Sequence, residues 1–202
     1  MTLPQELAAD RVIAVVRAPA VPDPAALCAA LAEGGIRWVE FTFTTPDVTA
    51  LLRRATAAGT GSRIGVGTVL TAEQAGRAVD AGAEYLVTPG VRPAVAAAPV
   101  PVILGALTPS EVAEALDLGA AAVKVFPARA FGPGYLKDLH GPFPGAPLVA
   151  SGGVDAGNAA AFLDAGALAV CAGSEVVTPS LVAAADWPEI TRRARAFTAA
   201  LG

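Results

Sequence analysis

Lys124 and Glu40 are the residues of this chain whose types and settings suit chemistry. Of 14 basic residues only Lys124 and Lys137 are lysine, so the chain uses arginine wherever a generic cation suffices. Lys124 nevertheless lies in Ala121-Ala122-Val123-Lys124-Val125-Phe126-Pro127, an apolar run with the character of a buried strand. Burial disfavours an ammonium, and a neutral amine can attack a ketone to form a Schiff base. The iminium then serves as an electron sink for carbon–carbon cleavage without a metal. A lysine paired with a carboxylate, or one reaching solvent from a strand end, is the structural alternative. Glu40, in Trp38-Val39-Glu40-Phe41-Thr42-Phe43-Thr44, poses the same choice. An unpaired buried glutamate is costly, so it is paired, protonated or functional. Beside an imine-forming amine, a carboxylate is also what proton shuttling requires.

Positioning these groups falls to a repeating pattern of short apolar runs, each followed by a polar turn and an Ala-rich stretch. The runs are Val12 to Val16, Trp38 to Phe43, Ile64 to Val69, Tyr85 to Val87, Val102 to Leu104, Ala122 to Phe126, Leu148 to Ala150 and Ala169 to Ala172. They are continuously apolar rather than alternating, as expected for parallel strands covered on both faces. Helix starts are signalled at Pro24, Thr45-Pro46-Asp47, Thr71-Ala72-Glu73-Gln74, Thr108-Pro109-Ser110-Glu111 and Asp155. Eight strand–helix units in 202 residues predict an α/β fold, a (β/α)8 TIM barrel forming one domain over residues 1–202. An open doubly wound sheet is the competing arrangement, but no G-x-G-x-x-G follows the first strand.

A weak internal repeat ties the two functional candidates together. The segments beginning at Glu33, Asp80, Asp117 and Asp164 share a frame in which a helix ends at glycine and a strand follows. Five residues after the shared glycine stand Glu40, Val87, Lys124 and Cys171, on the second, fourth, sixth and eighth strands. Alternate strands of such a barrel fill the same interior layer, so Glu40 and Lys124 are expected to point inward at one level. Thr42, Thr44 and Thr68 could add hydroxyls at that mouth, or be ordinary β-branched strand residues. The turns Ser151-Gly152-Gly153 and Gly173-Ser174 follow the last two strands, where loops of such barrels often cradle phosphate through backbone N–H groups and a helix N-terminus. Arg17, just after the first strand, is a candidate cation for a carboxylate or phosphate, or simply a surface arginine.

Composition excludes several other classes. His140 is the only histidine, which leaves no imidazole cluster for zinc or iron, and no metal site is expected. Cys28 and Cys171 are too few for a disulfide framework and read as buried reduced thiols. A net charge of −4 without a basic run argues against nucleic acid or a membrane surface as partner. The uncharged stretch from Pro93 is broken by prolines, and the N-terminus shows no signal-peptide pattern. A cytoplasmic protein is expected.

The segments Val39-Glu40-Phe41-Thr42, Gly65-Val66-Gly67-Thr68-Val69-Leu70, Val87-Thr88-Pro89-Gly90, Val123-Lys124-Val125-Phe126-Pro127-Ala128, Ser151-Gly152-Gly153-Val154 and Ala172-Gly173-Ser174 together resemble the 2-keto-3-deoxy-6-phosphogluconate and 4-hydroxy-2-oxoglutarate aldolase family of Schiff-base enzymes. The resemblance implies Lys124 as Schiff-base lysine and Glu40 as general acid/base. It places Thr68 on the pyruvyl carboxylate, Pro89 and Phe126 on the pocket wall, and Gly152, Gly153 and Ser174 on the phosphate. It also implies a phosphorylated 2-keto acid substrate, pyruvate as product, no cofactor and a homotrimer. Phosphogluconate-cleaving members usually carry arginine four residues after the glutamate, where this chain has Thr44. That departure, with Ala130-Phe131-Gly132-Pro133-Gly134-Tyr135-Leu136-Lys137, is similar to relatives acting on the galactonate epimer, and makes Arg17 the candidate carboxylate partner. A phosphate-binding synthase or isomerase using Lys124 only as a cation, and a non-catalytic phospho-sugar-binding module, are the competing functions.

Overall fold

The computed structural model describes residues 2–202. Helix α1 (Leu3–Asp10) precedes strand β1 (Val12–Val16), followed by α2 (Pro24–Glu33), β2 (Trp38–Thr42), α3 (Val48–Ala57), β3 (Arg63–Gly67), α4 (Ala72–Asp80), β4 (Tyr85–Val87), α5 (Pro93–Ala96), β5 (Val102–Ala106), α6 (Pro109–Asp117) and β6 (Ala122–Val125). A short 3-10 turn (Ala128–Ala130) leads to α7 (Gly134–His140), β7 (Leu148–Ala150), α8 (Ala159–Asp164), β8 (Ala169–Ala172), α9 (Pro179–Ala183) and α10 (Trp187–Ala199). The strands pair in chain order, all parallel, and β8 closes on β1. The result is the expected (β/α)8 barrel.

Closure explains why the strands are apolar along their whole length. One set of strand side chains, including Val12, Ala14, Val39, Phe41, Val66 and Val123, packs outward against the helices. The other set, Ile13, Trp38, Tyr85, Val87, Ile103, Ala122, Val149, Ala169 and Cys171, fills the barrel, and Leu3 and Leu7 of α1 plug its N-terminal end. A strand buried on both faces has no polar side to show in its sequence.

The glycine repeat has a conformational cause. Gly35, Gly82, Gly119 and Gly166 all adopt positive φ, between 75° and 99°, and their N–H groups bond back into the preceding helix. A side chain would strain each of these helix ends, so the same turn recurs and sets the same strand phase each time.

One start signal is displaced. The Thr45-Pro46-Asp47 signal leads directly into α3, with Asp47 at its N-cap position, whereas α8 begins at Ala159 and not at Asp155. Asp155 instead closes a turn: its N–H donates to Asn158 Oδ1, and its Oδ1 accepts from Gly157 N, both at 2.9 Å. These side-chain bonds compete with helical ones. By contrast Thr108 and Glu111 form a reciprocal capping box at α6. At α4, Thr71 accepts from Gln74 N while Gln74 turns its side chain to Leu70 N.

Candidate active site

The strand ends at the C-terminal mouth surround a cavity of about 730 Å3, lined among others by Arg17, Thr68, Pro89, Lys124, Phe126, Arg129, Ser151, Gly152, Gly153, Cys171, Gly173 and Ser174. Sequence positions far apart are thus brought together as the repeat predicts. Lys124 and Glu40 both point into the barrel, 7% and 0% exposed. The Lys124 Nζ lies 3.8 Å from Glu40 Oε1 and 5.5 Å from the centre of the Phe126 ring. That spacing is too long for a hydrogen bond, and neither Glu40 oxygen has a hydrogen-bond partner among the described residues. Buried carboxylate oxygens are seldom left so. A closed, purely structural ion pair would look different.

Glycines on neighbouring strands make the room. A Cβ on Gly67 would fall 1.7 Å from Glu40 Oε1, so no other residue at 67 leaves the carboxylate where it is. A Cβ on Gly105 would fall 2.3 Å from the Pro89 carbonyl carbon. The Thr88 hydroxyl holds that turn, accepting from Gly105 N at 3.0 Å and donating to Gly90 O at 2.7 Å.

Thr68 has φ +59°, a left-handed conformation unusual for a β-branched residue and often found at working sites. Its hydroxyl accepts from Arg17 Nη2 at 3.3 Å, while Arg17 Nη1 donates to Thr44 Oγ1 at 3.2 Å. Thr44 also shares a 2.8 Å bond with the Thr42 hydroxyl. Thr44 is off the cavity wall; it holds Arg17, which is on it.

At the other side of the mouth, Gly152 and Gly153 have consecutive positive φ values of 87° and 80°. Their loop is tied to the segment after β6, because Ala128 N donates to Ser151 O and Arg129 N to Gly152 O. Among the described residues the N–H groups of Gly152, Gly153, Gly173 and Ser174 have no acceptor. The helices that follow begin only at Ala159 and Pro179, so loop N–H groups, and not the helix N-terminus foreseen from the sequence, line this end.

The stem of Arg129 packs on Gly153, where a Cβ would meet it at 2.5 Å. This arginine was not singled out in the sequence: it follows the Val123–Ala128 motif directly, but its type is the chain's generic cation. Asp155 and Glu175 also reach the cavity, with Glu175 Oε2 accepting from Ala156 N at 2.8 Å. Cys171 lines the wall as a free thiol; burial, partly opposed by the Lys124 charge, pushes it up to about 11. It stays protonated at neutral pH. Lys137 is exposed on α7, and His140 bonds Gly166 O at 3.0 Å, away from the cavity.

The sequence pattern described as "KDPG and KHG aldolase" matches residues 4–193. The chain belongs to this family. Over 199 residues, 95% of this chain and 93% of the relative, it is 36% identical to a 2-dehydro-3-deoxy-phosphogluconate aldolase of Treponema pallidum (strain Nichols). It is 34% identical over 170 residues to a 2-dehydro-3-deoxy-6-phosphogalactonate aldolase of Escherichia coli (strain K12), covering 81% of this chain and 83% of that one. Among solved structures, the KDPG aldolase from Legionella pneumophila, with pyruvate captured at low pH as a covalent carbinolamine intermediate, superposes with a TM-score of 0.87. It is 30% identical and covers 96% of this chain and 98% of its own. As members of this family, such chains are aldolases of the lyase class.

Proposed function

We propose that this KDPG/KHG-family aldolase cleaves a 2-keto-3-deoxy-6-phospho sugar acid to pyruvate and glyceraldehyde 3-phosphate through a Schiff base on Lys124. The observation that carries the reading is the inward-facing Lys124 with an unpartnered Glu40 carboxylate 3.8 Å away. The neutral amine attacks the C2 ketone, and the carbinolamine loses water to give the iminium, with Glu40 moving the protons. Glu40 then takes the C4 hydroxyl proton, the C3–C4 electrons pass into the iminium, and the aldehyde leaves. Protonation of the enamine at C3 and hydrolysis release pyruvate and the free lysine.

Arg17, steadied by Thr44 and Thr68, is placed to hold the substrate carboxylate, with Thr68 beside it and Pro89 and Phe126 forming the wall. The distal phosphate has the free N–H groups of Gly152, Gly153, Gly173 and Ser174, and the Arg129 guanidinium, within the same cavity. Remote binding of this kind orients the reacting carbons. No cofactor takes part in the cycle. Unphosphorylated 4-hydroxy-2-oxoglutarate, split to pyruvate and glyoxylate, is a second substrate with the same reacting half.

Incubation with pyruvate followed by borohydride tests the reading: a covalent mass increase is expected on Lys124. No adduct, or one that persists in Lys124→Ala, would leave a barrel that binds phosphate without an imine. Thr44, where phosphogluconate-cleaving members usually carry arginine, favours a second reading, in which the galactonate epimer is the better substrate. Comparing kcat/KM for the two epimers decides it. We further propose a cytoplasmic homotrimer built from the one barrel domain. No helix among the described residues is long and apolar enough to cross a membrane, and Phe131, 62% exposed, offers apolar surface for a subunit contact. Light scattering would give the mass of the assembly.

A further inference from the structure

Inside the barrel lies a second buried titratable side chain that the proposed cycle leaves unused. Tyr85 is fully buried, and its hydroxyl has no hydrogen-bond partner among the described residues. Three strands define where it goes. Glu40 on β2 and Tyr85 on β4 are both in register with Gly65 on β3. A Cβ on Gly65 would stand 2.4 Å from Cζ of Tyr85, the carbon bearing the hydroxyl. The ring therefore reaches across β3 toward β2, where it lies 5.2 Å from the Trp38 ring, centre to centre. Trp38 precedes Glu40 by one inward-facing position on β2.

Glu40 leans over the same strand one level higher, above Gly67. Gly65 and Gly67 share a face and are about 6.5–7 Å apart along the strand. The phenol and the carboxylate therefore occupy adjacent levels of the barrel interior, close enough for the Glu40 charge to act on the phenol. Neither the phenol nor the carboxylate has a hydrogen-bond partner among the described residues.

We propose that the Tyr85 hydroxyl, through buried water, acts as hydrogen-bond donor toward the Glu40 carboxylate and so positions it and sets its basicity. Tyr85 is thus a positioning residue, and its role rests on Glu40 being the proton carrier. Burial, and next the charge of Glu40, push the phenol well above its ordinary range, so it remains a donor throughout the working pH. The other groups around the carboxylate are Lys124 from β6, the protonated Cys171 from β8 and Arg17 after β1. β3 also carries Arg63 on the same face toward the floor, where it pairs with Glu6 and Glu84; nearer the carboxylate, β3, β5 and β7 present Gly65 and Gly67, Ile103 and Gly105, and Val149 and Ser151, none of them charged.

Tyr85→Phe tests this with pyruvate alone as probe, by following exchange of its methyl protons with deuterium across pH, alongside the melting temperature. The exchange kcat is expected to fall about three- to tenfold with KM unchanged. The acidic limb of the profile moves to higher pH, because a carboxylate that has lost a donor holds its proton more tightly. An unmoved limb, whatever the rate, overturns the proposal. If Tyr85→Phe does not fold, fluorotyrosine in a Tyr135→Phe chain labels position 85 alone, since the chain has two tyrosines. The more acidic phenol should move the limb to lower pH; no movement again overturns the proposal. Absence of exchange in the unaltered enzyme removes the aldolase reading itself, and with it this one.

Discussion

The two ends of the barrel treat charge in opposite ways. Around the N-terminal floor, Arg63 reaches Glu6 at 2.6 Å and Glu84 at 2.7 Å, and Arg37 reaches Asp10 at 2.6 Å. Asp10 also accepts from the Trp38 indole, and Glu84 from the Ile64 N–H. At the mouth, Lys124 and Glu40 stand apart, Arg17 touches only hydroxyls, and Arg129 makes no ion pair among the described residues. Folding alone favours the first pattern, since buried polar groups left unmatched are costly. The second persists where polar groups are held ready for something other than the protein. A cavity of about 630 Å3 opens at the floor too, lined by Trp38, Arg63 and Tyr85 among others, yet its charges are matched to one another. Concavity is common to both ends, and so are unpartnered polar atoms, with Arg63 Nε and the Tyr85 hydroxyl at the floor; loosely paired charge marks the mouth.

Substitutions should divide along the same line. The largest effect is expected for Lys124→Ala, which should lower kcat/KM by about 10⁴-fold or more while leaving the melting temperature near that of the unaltered protein. Stability unchanged with activity retained would erase the distinction between the ends. Leu7→Ala in the floor plug should instead cost about 2–5 kcal/mol of stability, read by urea unfolding, with kcat per folded molecule intact. Smaller, about tenfold, is the rise in KM expected for Arg129→Gln with a phosphorylated substrate, and none with 4-hydroxy-2-oxoglutarate. Equal losses on both substrates would move Arg129 from the phosphate to the fold. The smallest effect concerns the α6 cap, where hydrogen bonds from Thr108 and Leu107 hold the Glu111 carboxyl below its usual range. A lowered folded value means the cap's contribution is complete above the unfolded value of about 4.3 and is lost as pH falls through the folded one. The stability difference between Glu111→Gln and the unaltered chain should therefore shrink on acidification while activity at neutral pH stays the same.

Much of this geometry was legible because it repeats. Apolar runs buried on both faces marked the strands, and four left-handed glycines fixed which strand positions turn inward, which is how Lys124 and Glu40 could be paired across 84 positions of chain. Features depending on a single distant contact were not legible. Arg129 matters because Gly153 has no side chain beneath its stem. Thr44 supports Arg17 instead of facing the cavity, its hydroxyl accepting from a guanidinium 27 positions away in the chain. Helix α1 carries only two buried residues, Leu3 and Leu7, and nothing local identifies them as a plug. Asp155 has the residue type of a helix start, but its bonds with Asn158 and Gly157 hold the chain in a turn.

Gly67 and Gly105 bring no functional group, yet the shape of the mouth depends on what they omit. For a mutational scan this means that intolerance to substitution will spread onto strands with no chemistry of their own, and a loss of activity at Gly67 will look like a loss of Glu40. The two can be told apart in a Glu40→Ala chain, where the atoms that an added methyl would meet, out to Oε1 at 1.7 Å, are gone. A double variant that turns over no more slowly than Glu40→Ala alone would mark position 67 as the mould and position 40 as the tool it shapes.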